Sequence, residues 1–229
     1  MISPVMLLPR CLVCALALLA SSTPLRAQTK DASAVCEVVA VSGEVWLGDP
    51  TAGSSGRRAL RQGERLLVGA ELHTGNSGRV RLRFEDGSTL VLADRSTLTL
   101  ERATPAGADG KRDLGLLLHL GLIGQRVKPG GGRWEVRTPT AVTAVRGTEF
   151  LVEVAQDLST AVHVQSGEVT VQGLPAPGVP QLRSLKPRRP VLLQRTAVST
   201  RCDDQGQCSD PIAWQAERVQ TLQQRIGEF

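Results

Sequence analysis

The chain has no tyrosine, and only three tryptophans and three phenylalanines among 229 residues. Carbohydrate platforms are commonly built from aromatic faces, so this composition serves that class poorly. The spacings of several familiar chemistries are also missing. There is no His-Glu-x-x-His helix, no Cys-x-x-Cys pair and no glycine-rich phosphate cradle. The three histidines, His73, His119 and His163, lie far apart, each in or beside a strand pattern. Ser77 sits in Gly75-Asn76-Ser77-Gly78, which the glycines mark as a turn, and His73 is too close to serve as its distant base. Glu85, Asp86 and Asp94 are a carboxylate set of the kind sugar chemistry uses, but turns explain Asp86 and Asp94 better. The expectation is a non-enzyme with no catalytic residues, no metal and no cofactor.

Long apolar runs are scarce as well. The first, Cys11 to Ala20, is ten residues long and follows Arg10. A spanning helix needs about 20. Small residues, Pro24 and Ala27 come next, so residues 1–27 read as a secretory signal peptide cut after Ala27, with a cut near Ala20 to Ser22 as the alternative. A second run, Leu114 to Ile123, is broken by His119 and Gly121. A periplasmic chain without a transmembrane segment after cleavage is expected. The formal charge is +5, and Arg10 and Arg26 leave with the signal peptide. The remaining excess is mild, so no nucleic-acid partner is expected.

Three cysteines follow the signal peptide. Cys202 and Cys208 bracket an acidic, glycine-containing turn and read as a small disulfide loop in an exported protein. A pairing of Cys36 with either of them stays open.

What the chain does have is regular β patterning. Residues 28–36 read as a disordered start. Val35, Val39 and Val41, then Val45 and Leu47, flank Ser42-Gly43 and read as a hairpin. Val80, Leu82 and Phe84 alternate with Arg79, Arg81 and Arg83, a strand with one buried face. Asp86-Gly87 reads as a type I′ hairpin turn. Leu98 and Leu100 form another alternating pair, and Leu114–Ile123 reads as one buried strand or two short ones. The stretch from Arg137 to Val152 is rich in Thr and Val and reads as two strands around a bend at Arg146-Gly147. Ser166-Gly167-Glu168-Val169 echoes Ser42-Gly43-Glu44-Val45, which suggests one turn type used twice.

Residues 173–190 hold five prolines and read as a linker. Within and after it runs a basic series, Arg183, Lys186, Arg188 and Arg189, a candidate anion-binding segment whose plainer reading is a solvated rim. Residues 191–229 read as a last strand, the cysteine loop and a helix over 211–226, opened by Asp210-Pro211 and carrying Ile212, Ala216, Val219, Leu222 and Ile226 at helical spacing. Trp214 falls opposite that stripe.

Several segments together identify a family. They are Gly43-Glu44-Val45, Leu72-His73-Thr74-Gly75, Val80-x-Leu82-x-Phe84-x-Asp86-Gly87-Ser88, Thr138-Pro139-Thr140-Ala141, Ala144-Val145-Arg146-Gly147-Thr148-Glu149-Phe150 and Ser166-Gly167-Glu168-Val169. In this order they resemble a FecR-type domain over residues 37–172, in a stand-alone exported form. The resemblance implies an all-β periplasmic module, here an antiparallel sandwich or jelly-roll-like arrangement with a C-terminal α-helix. It marks Arg146, Gly147, Thr148, Glu149, Phe150, Asp86 and Gly87 as family-motif residues, structural or ligand-contacting. For Arg146 the structural role, pairing with a carboxylate or carbonyls to lock strands, is the first expectation. Well-known members of the family relay an iron-uptake signal through a membrane helix to a sigma factor. The expectation for this chain is a binding or scaffold module that contacts an envelope protein or polymer. The alternative is a signal-relay component acting through a separate membrane protein.

Overall fold

The computed structural model describes residues 34–48, 56–104, 112–130, 132–175, 177, 189–194 and 196–227. The expected signal peptide, Arg183, Lys186 and Arg188 lie outside these residues. The elements in chain order are β1 (Cys36–Ser42), β2 (Val45–Gly48), β3 (Arg58–Ala59), β4 (Arg65–Leu66), β5 (Glu71–Thr74), β6 (Arg79–Phe84), β7 (Thr89–Leu92) and β8 (Thr97–Ala103). Then come β9 (Arg112–Arg126), β10 (Gly132–Arg137), β11 (Ala141–Val154), β12 (Thr160–Gly173), β13 (Val191–Leu193), β14 (Val198–Cys202), β15 (Ile212–Ala213) and α1 (Ala216–Ile226).

Among the described residues, all fifteen strands join one hydrogen-bonded sheet, and only β9–β10 is a parallel pair. The sheet is folded over into two layers by three long strands. Residues 112–117 of β9 pair with β10, whereas residues 121–126 pair with β11 on one side, and 123–126 with β7 on the other. β11 pairs with β10 over 142–145 and with β9 over 149–154. β12 pairs with β14 over 160–164 and with β13 over 169–171. Layer one is therefore β4-β1-β6-β7, the later half of β9 and of β11, the earlier half of β12, β14 and β15. Layer two is β3-β2-β5-β8, the earlier half of β9, β10, the earlier half of β11, the later half of β12, and β13. The rings of Phe84 on β6 and Trp134 on β10 meet at 4.8 Å. In the plane of the sheet these strands are three positions apart, roughly 14 Å at the usual strand spacing, so the two layers must face each other.

Strands that switch layers turn corners through bends and bulges. The three corners fall at Gly121, Gly147 and Gly167, all with positive φ (96°, 57° and 91°). At each corner the inward alternation slips by one residue. In β11 the buried set changes from Ala141, Thr143 and Val145 to Phe150, Val152 and Val154, with register shifts between Arg146 and Phe150. The Arg146-Gly147 bend thus lies within one continuous strand rather than between two. The Ser-Gly-Glu-Val echo has the same explanation. Gly43 carries the chain from β1 in layer one to β2 in layer two, so β1 and β2 do not pair as the expected hairpin. Gly167 does the same inside β12.

Local expectations are corrected at other places too. Val35 is buried, its N–H donates to the Leu66 carbonyl, and Cys36 opens β1, so residues 34–36 are not a disordered lead-in. At Asp86-Gly87 only Gly87 has positive φ, and Phe84 is bonded to Ser88 across a three-residue loop. That is a glycine-bulge hairpin rather than type I′. β12 runs to Gly173, and the Leu174 N–H reaches the Thr140 carbonyl, so residues 173 and 174 are tied to the sheet rather than part of the expected linker. β13 to β15 extend the same sheet, and the described residues between Ala34 and Gly227 form one compact unit.

The helix begins at Ala216, not at 211, because Ile212 and Ala213 pair with Ser199 and Val198 instead. It crosses the outer face of layer one. Leu222 and Ile226 bury against Val91, Ala93, Leu122 and Leu151, which explains why β7, β9 and β11 are apolar on both faces there. Each such side chain contributes about 1.5–3 kcal/mol. Arg225 bonds Asp94 (2.9 Å) and Glu153 (3.2 Å), and Arg218 bonds Glu153 (2.8 Å). Burial works against the Asp94 carboxylate, but hydrogen bonds and charge from Arg225 and Arg95 hold its pKa below the ordinary value. Trp214 stacks on His163 (5.4 Å), and the Arg218 guanidinium covers its other side at 4.4 Å. Among the described residues, no helix is long and apolar enough to cross a membrane.

Candidate functional site

The corner at Gly147 divides the family motif into residues that build the fold and one that faces outward. Gly147 packs so closely that a Cβ there would stand 2.9 Å from the Cα of Pro129. Thr148 is buried, and its hydroxyl is shared between the carbonyls of Arg146 (3.0 Å) and Glu168 (2.9 Å). This ties the β11 corner to the β12 corner. Phe150 is fully buried in the core. Glu149 pairs with Arg126 across the β11–β9 ladder at 3.3 Å.

Arg146 differs from all of these. It is exposed, and it makes no hydrogen bond or ion pair with any described residue. The expected strand-locking role therefore belongs to Thr148. Arg146 lies opposite Glu168 in register, yet Glu168 is bonded by Gln194 (2.9 Å).

Beside Arg146 opens a groove of about 810 Å³. Its apolar lining comes from Pro129, Trp134, Ala144 and Val145, and its charged lining from Arg112, Asp113, Arg133, Arg146 and Glu168. The topology explains this mixture. The first residues of β9 and β10 run parallel there, β11 turns its corner beside them, and side chains from both faces of layer two meet at the end of the sandwich. Arg112 is ion-paired with Glu85, Asp113 with Arg102 (3.2 Å) and Arg133 with Glu135 (2.8 Å). Trp134 is 2% exposed, and its indole Nε1 has no hydrogen-bond partner among the described residues.

The other sequence candidates sit elsewhere. Asp86 caps its turn, accepting from the Ser88 N–H and hydroxyl at 2.8 and 2.9 Å, and Gly87 supplies the bulge. Cys202 and Cys208 are joined by a disulfide, while Cys36 is a free, buried thiol whose pKa burial pushes up to about 12. Arg189, the described member of the basic series, is exposed before β13. His73 touches Glu71 (2.8 Å) and Thr97 (3.1 Å), and His119 touches Thr99 (2.9 Å). His163 is buried against Ser199 (2.7 Å), and desolvation lowers its pKa. His119, Asp86 and Glu149 do not line this groove; Asp86 lines a second, smaller cavity with Phe84 and Leu114. Among the described residues no cluster of potential metal ligands occurs.

Sequence reasoning missed Trp134, Arg112 and Arg133. The alternation of Arg133, Glu135 and Arg137 marks a solvent face, but it carries no sign that β10 would lie parallel to the start of β9.

Residues 70–170 match the family model described as FecR protein. The match begins just before β5, leaving β1 to β4 outside it. No curated relative matches the chain. Two crystal structures of a proposed anti-sigma factor from Parabacteroides distasonis are similar to part of it. One has 20% identity and a TM-score of 0.47, the other 19% and 0.48. Each alignment covers 66% of this chain and 62% of that protein, so the similarity spans less than two thirds of the relative's length.

Proposed function

From the match of residues 70–170 to the FecR family model, we propose that the chain is a non-catalytic, exported binding module of a signal-relay system. In this reading the signal peptide delivers it to the periplasm. A partner protein engages the groove at the β11 corner, and the signal passes to a separate membrane protein. The observation that carries the reading is Arg146. It belongs to the family motif, it supports no other described residue, and it stands at the rim of the groove of about 810 Å³. A charge that stabilises nothing in its own fold is available to a partner, and arginine's fork suits directional recognition.

The test is a transcript profile of the source cells. Loss of the chain, and Arg146→Glu at normal protein level, should change the same defined set of transcripts. Unchanged transcripts in both strains contradict a relay role.

A further inference from the structure

The charge balance around the groove is specific about what it would accept. Arg112, Arg133 and Asp113 each already hold an opposite charge, and Glu168 accepts a hydrogen bond. Arg146 and Glu168, the latter bonded only by the neutral Gln194 amide, are left as the two lining charges without an ion partner among the described residues, and Arg146 is the cationic one, over a floor made by Trp134, Ala144, Val145 and Pro129. The Trp134 N–H is a second unmet demand, a buried donor without an acceptor among the described residues. Such a donor is costly unless something supplies an acceptor. The groove also has the size of sites that bury small ligands or short segments.

Resting on the partner-binding reading above, we propose that the groove receives a short extended peptide in which a carboxylate side chain stands next to an apolar one. The carboxylate meets the Arg146 guanidinium, where a bidentate, charge-assisted pair is the strongest geometry open to it. The apolar neighbour covers the Ala144–Val145–Pro129 floor, and a peptide carbonyl is the acceptor that the Trp134 indole lacks. A free anion such as phosphate would meet Arg146 alone and leave the apolar floor and the indole unserved. A purely apolar segment would bury the rim near an unpaired guanidinium. Only a ligand with both characters satisfies all three features.

The experiment selects phage-displayed random heptapeptides on the full mature chain. It then titrates a synthetic copy of an enriched peptide while following the indole N–H signals of the three tryptophans. Selected peptides should be enriched in Asp or Glu beside an apolar residue. The synthetic peptide should move the Trp134 signal and leave those of Trp46 and Trp214 in place. Replacing its acidic residue by the amide, or Arg146→Gln in the protein, should each weaken binding about ten- to a hundred-fold. The unfolding midpoint of Arg146→Gln should match wild type, which shows that the loss is not a folding defect. Selected peptides without acidic enrichment overturn the proposal. So does a response at Trp46 or Trp214 instead, or a Trp134 shift that inorganic phosphate alone reproduces. If the peptide arm fails while Arg146→Glu still changes transcripts, the peptide chemistry is rejected and the relay reading stands. If the peptide arm succeeds and transcripts do not change, the relay reading fails alone.

Discussion

Replacing Thr148 by valine, and separately Arg146 by alanine, pulls apart the two halves of the family motif. Valine keeps the volume of Thr148 but removes the hydroxyl that joins the Arg146 and Glu168 carbonyls at 3.0 and 2.9 Å. The site is only 2% exposed, so water cannot replace the lost donor. One hydroxyl proton serves both acceptors, and the loss amounts to one buried hydrogen bond with its desolvation penalty, about 1–3 kcal/mol. For a domain of this size each kcal/mol moves the melting temperature by about 2–4 °C, so Thr148→Val should lower Tm by about 2–12 °C. Arg146→Ala removes an exposed side chain with no described partner and should stay within about 0.5 kcal/mol of wild type. Thermal and urea unfolding of the three proteins measure both. If Arg146→Ala destabilises as much as Thr148→Val, the arginine is a strand lock and the division of the motif is wrong.

Three further outcomes follow from the corners and the helix face. Gly121→Ala should cost about 2–3 kcal/mol or more through backbone strain and overpacking, because its φ is 96° and a Cβ would stand 2.6 Å from the Cα of Ser96; Gly130→Ala, with a φ of 82° and open space around it, should cost only about 1 kcal/mol. Urea midpoints of the pair decide this, and equal losses would contradict the corner geometry. His163 and Asp94 give separate pH windows. Burial lowers the His163 pKa, so the unfolded chain takes up that proton first; its contribution is intact above about pH 6.5 and is lost as pH falls below that. Asp94, also lowered, holds its contribution above about pH 3.9 and loses it in stronger acid. Urea midpoints between pH 7 and 5 should therefore fall for wild type and less for His163→Gln, and parallel curves would refute the assignment. Replacing Cys202 and Cys208 together by serine should cost about 2 kcal/mol from a loop this short, and an unchanged urea midpoint would refute that loop-closure contribution.

Alternation made the strands legible wherever one face was core and the other solvent, as at Val80, Leu82 and Phe84. It became ambiguous where both faces are covered. Leu122-Ile123 and Val91-Leu92 look uniformly apolar because one member of each pair faces the sandwich core and the other faces the helix. The corners left a trace in sequence, the slip from Val145 to Phe150 around a glycine, but a glycine between strand patterns equally suits a hairpin. Only the pairing of β9 with two different partners distinguishes the two. The helix start was misplaced because Ile212 fits the helical stripe locally, while its strand pairing with Ser199 is a contact at a distance in sequence. The groove was the least legible feature. The motif gave Arg146, but Trp134, Arg112 and Arg133 reach it through a parallel pairing that no local pattern announces.

The central claim is that Arg146 faces a partner rather than its own fold. A photo-crosslinking amino acid at position 146, expressed in the source cells, tests it directly, with the same amino acid at exposed position 58 on β3 as the control. The account predicts one adduct of defined mass with an envelope protein from position 146 and none of that mass from position 58. No adduct from 146, or the same adducts from both positions, would contradict it.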